Sequence, residues 1–200
     1  MAIKTANNQS MTAITSLASG VSAKSLILLA TETASSSATV SFTSNIDDTY
    51  DEYVFKFINI HASADAFISF QGNAAGGSGY NETITSTFFH ASHDEADEYP
   101  AVAYRTDSDQ AQGTGFQRIG FRTSTDNDMS TSGTLHLFNP SSTVFVKHFM
   151  SSFASADTGP YTDNAHVAGY FNTTSAIDEI QFKMSSGNID AGVIKMYGVA

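Results

Sequence analysis

Six histidines and several clustered carboxylates are the side chains of this 200-residue chain best equipped for chemistry. His90 and His93 border an acidic stretch containing Asp94, Glu95, Asp97 and Glu98, and imidazole beside carboxylate is a donor set for a divalent transition metal. The spacing matches no metalloenzyme motif, so residues 90–100 are expected to form a solvated surface loop. His61, His136, His148 and His166 fall within or at the ends of strand-like runs, where a hydrogen-bonded structural imidazole is the expected outcome. On donor chemistry calcium is the better metal candidate, because Asp47, Asp48 and Asp51 lie close together and Asp126, Asn127 and Asp128 form a second oxygen-rich turn. Neither has the EF-hand spacing. Both read as acidic turns, and no metal or other cofactor is expected.

Serine is abundant, but no G-x-S-x-G elbow is present to expose one as a nucleophile. A Ser/His/Asp triad is assembled in space rather than in sequence, and nothing along the chain singles one out. A carboxylate pair for glycoside hydrolysis is equally unmarked. Gly72, Gly76, Gly77 and Gly79 lack the lysine of a phosphate-binding loop and are expected in a hairpin loop. The expectation is therefore a protein that is not an enzyme. Tyr80, Tyr99 and Tyr161 sit beside Gly or Pro in predicted loops, free to stack on a sugar ring, and are the candidate glycan contacts. Phe88, Phe89, Phe138, Phe145, Phe149, Phe182 and Tyr197 fall within predicted strands and are expected in the core.

The elements that must hold these residues are strands. Short runs rich in Val, Ile, Thr, Phe and Tyr recur between Gly, Ser, Asn and Asp clusters, which predicts an antiparallel sandwich or barrel. Strands are predicted over 26–31, 38–43, 53–61, 66–71, 82–90, 101–106, 116–122, 133–138, 143–153, 166–171, 177–184 and 192–199. Val40 and Phe42 alternate with Thr39, Ser41 and Thr43, giving one dry and one hydroxyl face. Tyr53, Phe55 and Phe57 oppose Val54, Ile58 and Ile60, which predicts a central strand covered on both faces. Residues 181–199, with turn residues at 186–191, are expected to close the fold as a β-hairpin. Residues 1–25 are polar with isolated Ile3, Met11, Ile14, Leu17 and Val21, an extended N-terminal arm whose apolar residues need a neighbour to dock on. No repeat or linker divides the remainder, so 26–200 reads as a single β-sandwich domain.

Composition narrows the partners. Charged residues make up 14% of the chain, against roughly 25% for an average protein, so the surface is hydroxyl-rich. A net charge of -11 without a basic cluster repels phosphate backbones, which argues against nucleic acid. Cysteine is absent, so disulfides and thiolate metal sites are excluded. The N-terminal stretch has no signal-peptide core and the longest apolar run, 26–30, is too short for a bilayer, so a soluble cytosolic product without membrane insertion is expected.

Several segments resemble a family of virion-associated proteins from marine tailed phages. They are NNQSMTAIT at 7–15, LLATETASSSATVSFTSNIDDTY at 28–50, EYVFKFINIH at 52–61, LHLFNPSSTVFVKHF at 135–149 and VAGYFNTTSAIDEIQFKMSSGNIDAGVIKMYG at 167–198. The departures lie mainly in the loops over 94–128. The resemblance implies an all-β, antiparallel β-sandwich of jelly-roll type with no catalytic residues to carry over. It also implies a structural role in the virion, as an exterior capsid decoration (cement) protein contacting the major capsid or other virion proteins. A homo-oligomer is expected, a trimer matching local three-fold positions of a shell. The alternative is a tail-fibre or appendage module binding a host surface glycan.

Overall fold

Apolar side chains recur at every second position along most of the chain, and a strand so patterned has one dry face that only a second layer can cover. The computed structural model, which describes residues 26–200, resolves that pattern into two packed antiparallel sheets. Thirteen strands follow in order: β1 (Leu26–Ser37), β2 (Val40–Phe42), β3 (Glu52–Ala62), β4 (Ala66–Ala74), β5 (Ile84–Asp94), β6 (Ala101–Tyr104), β7 (Ala111–Gly113), β8 (Gln117–Thr123), β9 (Thr131–Phe138), β10 (Lys147–Ala156), β11 (Tyr161–Phe171), β12 (Ile177–Met184) and β13 (Ile189–Val199). The nine-stranded sheet has the order β1-β13-β3-β9-β10-β11-β5-β6, with β7 also on β5, and the four-stranded sheet has the order β2-β12-β4-β8. The expected all-β sandwich is the observed fold. Among the described residues no helix is long and apolar enough to cross a membrane.

Phenylalanine joins the two layers. Phe182 of β12 lies 4.9 Å from Phe57 and 5.3 Å from Phe55, both in β3 of the opposite sheet, and 6.1 Å from Phe42 of β2 (ring centroids). These contacts are edge-on, the geometry aromatic quadrupoles prefer, and each contributes about 0.5–1.5 kcal/mol beyond its buried area. Among the described residues, buried side-chain polar atoms have partners except Asn73 Oδ1 and His90 Nδ1. The buried Gln71 amide donates to the carbonyls of Glu82 at 3.0 Å and Gly115 at 2.9 Å, and the Gln117 carbonyl oxygen accepts the Ser86 hydroxyl at 2.6 Å. Lys147 is fully buried at the start of β10, where its ammonium donates to the carbonyls of Phe145 and Thr173 at 2.8 and 3.2 Å. Burial pushes its pKa down.

Three expectations change. β12 and β13 do not pair: β12 belongs to the smaller sheet and β13 to the larger, so the 181–199 segment crosses between layers. Its inward residues Phe182 and Met184 thereby face the core from one side while Ile194 and Met196 face it from the other. A hairpin within one sheet has the same alternation, which is why the pattern could not separate them. In β3 the outer face is covered at Val54 but not beyond it, because Ile58 is exposed and Ile60 turns inward. A bulge between Phe57 and Ile60 shifts the phase: Asn59 takes φ 48, its N–H donating to the Ser132 hydroxyl at 2.9 Å. The partner strand accommodates this at Gly192, φ 121, where a Cβ would meet Ile60 Cα at 2.8 Å. Finally, Phe88, Phe149 and Phe182 are core, whereas Phe89 and Phe145 are exposed. Phe89 points to the outer face of the larger sheet, and Phe145 precedes β10 in an irregular segment.

Candidate functional site

Strands β5 and β11 run side by side, and their inward positions change character along their length. From one end the register-matched pairs are Ile84 with Phe171, Ser86 with Gly169, Phe88 with Val167 and His90 with Ala165, then Ser92 with Asp163 and Asp94 with Tyr161. The apolar half lies under the smaller sheet. The polar half extends towards the end of β8, whose last residue, Thr123, donates its hydroxyl to the Ala156 carbonyl at 3.3 Å. There the two sheets part around an open cleft of about 400 Å³, with His90, Ser92 and Asp163 on its floor and Tyr99 and Tyr161 on its rim.

Two of the three tyrosines expected to contact glycan meet at this cleft. The rings of Tyr99, 61% exposed, and Tyr161, 38% exposed, lie 6.4 Å apart at 64°. Tyr161 is a strand residue and Tyr99 is held by the turn after β5, where the Asp94 carboxylate accepts the N–H groups of Glu98 at 2.8 Å and Tyr99 at 3.1 Å. Burial opposes that charge, but the two N–H groups outweigh it and hold the Asp94 pKa below its usual value. Tyr80 is elsewhere: it precedes β5 at its opposite end, and ten strand steps separate the ends of β5 by about 33 Å. Its hydroxyl donates to Glu179 at 2.9 Å, and burial followed by that carboxylate raises its pKa.

The cleft holds more polar machinery than the tyrosines alone signalled. Arg122 grips Asp157 with two parallel hydrogen bonds, Nε to Oδ1 at 2.7 Å and Nη2 to Oδ2 at 3.2 Å. The His90 ring stacks on Phe121 at 4.3 Å, and the Arg105 guanidinium lies 5.4 Å from the same ring. Asp163 accepts the Ser92 hydroxyl, and burial pushes its pKa up. His90 Nε2 is 3.9 Å from Asp163 Oδ1, too far for a direct hydrogen bond, and His90 Nδ1 is buried without a partner. Ser92, His90 and Asp163 are thus neighbours, yet the serine bonds the carboxylate instead of the imidazole. The imidazole is not placed to take the serine proton, so the three lack the Ser–His–Asp order of a hydrolytic triad.

The missed signal was a period of two. His90, Ser92 and Asp94 alternate with Ala91 and His93, a strand pattern that its polar composition disguised as a loop. Burial of neutral His90 also has a pH consequence. Burial lowers its pKa below the ordinary 6.5, outweighing the opposing pull of Asp163. Between the folded and unfolded values the unfolded chain binds the extra proton, so this group's stability contribution is full above about 6.5 and falls as pH drops through that window. His90→Phe, which keeps the stacking ring, is expected to lose less stability than wild type between pH 7 and pH 5.5 in urea titrations. An equal loss in both proteins would contradict this linkage.

The other sequence candidates do not converge. Asp47 uses its carboxylate on the Thr49 N–H at 2.8 Å and the Tyr53 hydroxyl at 3.1 Å, closing its own turn. His93 faces Asp97 at 3.1 Å on the exposed side of β5, and His136 meets Glu52 at 2.6 Å. Among the described residues no three His, Asp or Glu side chains come together as a metal set. Gly72 lies inside β4 against Phe171 and Ile177, while Gly76 and Gly79 take the positive φ of the following turn. Ile3, Met11, Ile14, Leu17 and Val21 lie outside the described residues.

A second surface is the outer face of the larger sheet. One register-matched row crosses seven strands as Leu28, Tyr197, Val54, His136, Met150, Ala168 and Thr87, without a carboxylate. Leu28 is 52% and Met150 56% exposed. The neighbouring row ends with His166 stacked on Phe89 at 5.2 Å and with Tyr104 beside Phe89 on the edge strand. A hollow of about 430 Å³ opens on this face between Phe138, His148, Met150 and Tyr170. Comparison with protein-family models, with curated proteins and with solved structures returns no match to this chain.

Proposed function

We infer that the chain is a non-catalytic structural protein of a tailed-phage virion, an exterior capsid decoration protein that seats the outer face of its nine-stranded sheet on the shell. The observation that carries this reading is the uncharged row from Leu28 to Thr87. In a chain of net charge -11, carboxylates are the ordinary surface residue, and a row across seven strands with none of its own, bordered by Glu52 at His136 and by Lys56 at Tyr197, marks a surface suited to being covered. The edge strand β1 extends the row, since Leu26, two residues before Leu28 and on the same face, is also exposed. It is also the first described strand, directly after residues 1–25 in the chain. The segments resembling virion proteins supply the kind of partner, and repetition on a symmetric particle lets weak contacts act together.

Particles assembled with a chain carrying Met150→Asp and Tyr197→Asp are expected to retain at least tenfold fewer copies than wild type after gradient purification, because each carboxylate must be desolvated in the contact. Deleting residues 1–17 is expected to strip the protein as well while the sandwich stays folded by circular dichroism. Full occupancy with both variants would defeat the reading.

A further inference from the structure

We propose that the cleft between the β5–β6 and β10–β11 turns binds an uncharged pyranose, with Tyr99 and Tyr161 packing on the ring and Arg122, Asp157 and Asp163 taking its hydroxyls. The first argument is shape. At about 400 Å³ the cleft falls in the range of small-molecule sites, and two tyrosines meeting at 64° form a corner that accepts one C–H face of a sugar. That corner is fixed before any ligand arrives. The Asp94 carboxylate pins the turn that carries Tyr99, and the Glu95 N–H donates to the Pro160 carbonyl at 2.9 Å, tying it to the turn before Tyr161. Pre-organised aromatic rings lose little entropy on binding.

The second argument is the polar floor. A sugar hydroxyl donates and accepts at once, so it fits where a guanidinium and carboxylates converge. Arg122 has five N–H donors, of which Asp157 takes two. Asp157 and Asp163 are both nearly buried, and their acceptor capacity is turned to the cleft rather than to bulk water. His90 is the independent sign of unfinished business: its side chain is 8% exposed, lines the cleft and leaves Nδ1 unpartnered. Buried polar nitrogens in proteins are ordinarily satisfied. The third argument is charge. Arg122 pairs with Asp157 and Arg105 with Asp107 just outside the lining, so no cation is left over for an anion, while the chain as a whole carries -11. The local site offers an ion no net attraction and the long-range field repels an anion, so acidic sugars and phosphates are disfavoured.

The test uses the full chain, isotopically labelled, titrated by two-dimensional NMR with methyl α-glucopyranoside, methyl α-mannopyranoside, methyl β-galactopyranoside and, as the charged probe, methyl glucuronide. At least one uncharged pyranoside is expected to shift the amides of Ser92, Tyr99, Tyr161 and Arg122 saturably at tens of millimolar. Tyr99→Ala and Tyr161→Ala are each expected to weaken it about tenfold, and Arg122→Lys, which keeps the charge and loses the fork, to weaken it as well. Tyr80→Phe, at the far end of β5, is expected to leave it unchanged. Absence of shifts with all three uncharged probes, binding of the glucuronide alone, or binding undiminished in the Tyr99→Ala/Tyr161→Ala double variant would each overturn the proposal. Met150→Asp on the outer face is expected to leave sugar binding intact, so failure of this site and failure of shell docking are separately visible.

Discussion

Phe182→Ala is expected to destabilise the protein by about 3–5 kcal/mol, the loss typical of truncating a buried aromatic ring. The size of the effect follows from position: Phe182 is fully buried and its ring meets Phe42, Phe55, Phe57 and Phe70, so one truncation removes contacts to both sheets. The cavity would sit where neither sheet can relax into it without moving the other. At about 2–4 °C per kcal/mol for a domain of this size, the midpoint of thermal unfolding should fall by about 10–15 °C. Phe145→Ala provides the contrast, since that ring is 68% exposed, and it is expected to change stability by less than about 0.5 kcal/mol. Comparable losses at both positions would show that the aromatic cluster does not bind the layers together as described.

Gly133→Val should produce the second large loss, about 3 kcal/mol and at the upper end of overpacking costs. Gly133 of β9 lies between Phe57 of β3 and Phe153 of β10 in register, and the two phenylalanine rings close over it at 4.8 Å. A Cβ at this glycine would meet Phe153 Cδ1 at 2.7 Å and lie closer still to the Ser152 carbonyl oxygen. The obstruction therefore includes backbone in the middle of the nine-stranded sheet, where neither neighbour can shift alone. Urea unfolding followed by fluorescence of the tyrosines would measure the change. A loss below about 1 kcal/mol would mean that the rings can separate without penalty.

The elements of this fold were readable to the extent that their periodicity was. Val40 and Phe42 announced β2, and Phe182 was expected in the core because it falls within a predicted strand. Layer membership was not readable, because a strand's pattern states which side is dry and not which sheet it joins; hence β12 and β13 looked like a hairpin. The phase slip at Asn59 was invisible for a related reason: one inserted residue turns Ile60 to the side opposite Ile58 while every local composition cue stays the same. In the cleft, Tyr99 and Tyr161 were identifiable as aromatic residues beside Pro and Gly, but their meeting depends on β5 and β11 being neighbours, sixty-odd positions apart in sequence. Tyr80 carried the same local signal and was drawn away by Glu179. Arg122 and Asp157 gave no signal at all, since an ion pair across separate strands leaves no spacing to detect.

The change from Phe88 and Val167 to Ser92 and Asp163 along one pair of strands divides the molecule's tolerance of substitution. Residues on the covered half are constrained jointly by both layers, so drift there is purged through misfolding. Beyond them the opposing layer reaches the pair only through β8, where Phe121 stacks on His90, and the exposed Tyr99 and Tyr161 answer to fewer neighbours. Substitution at these most exposed positions is therefore expected to alter the surface presented more than the stability.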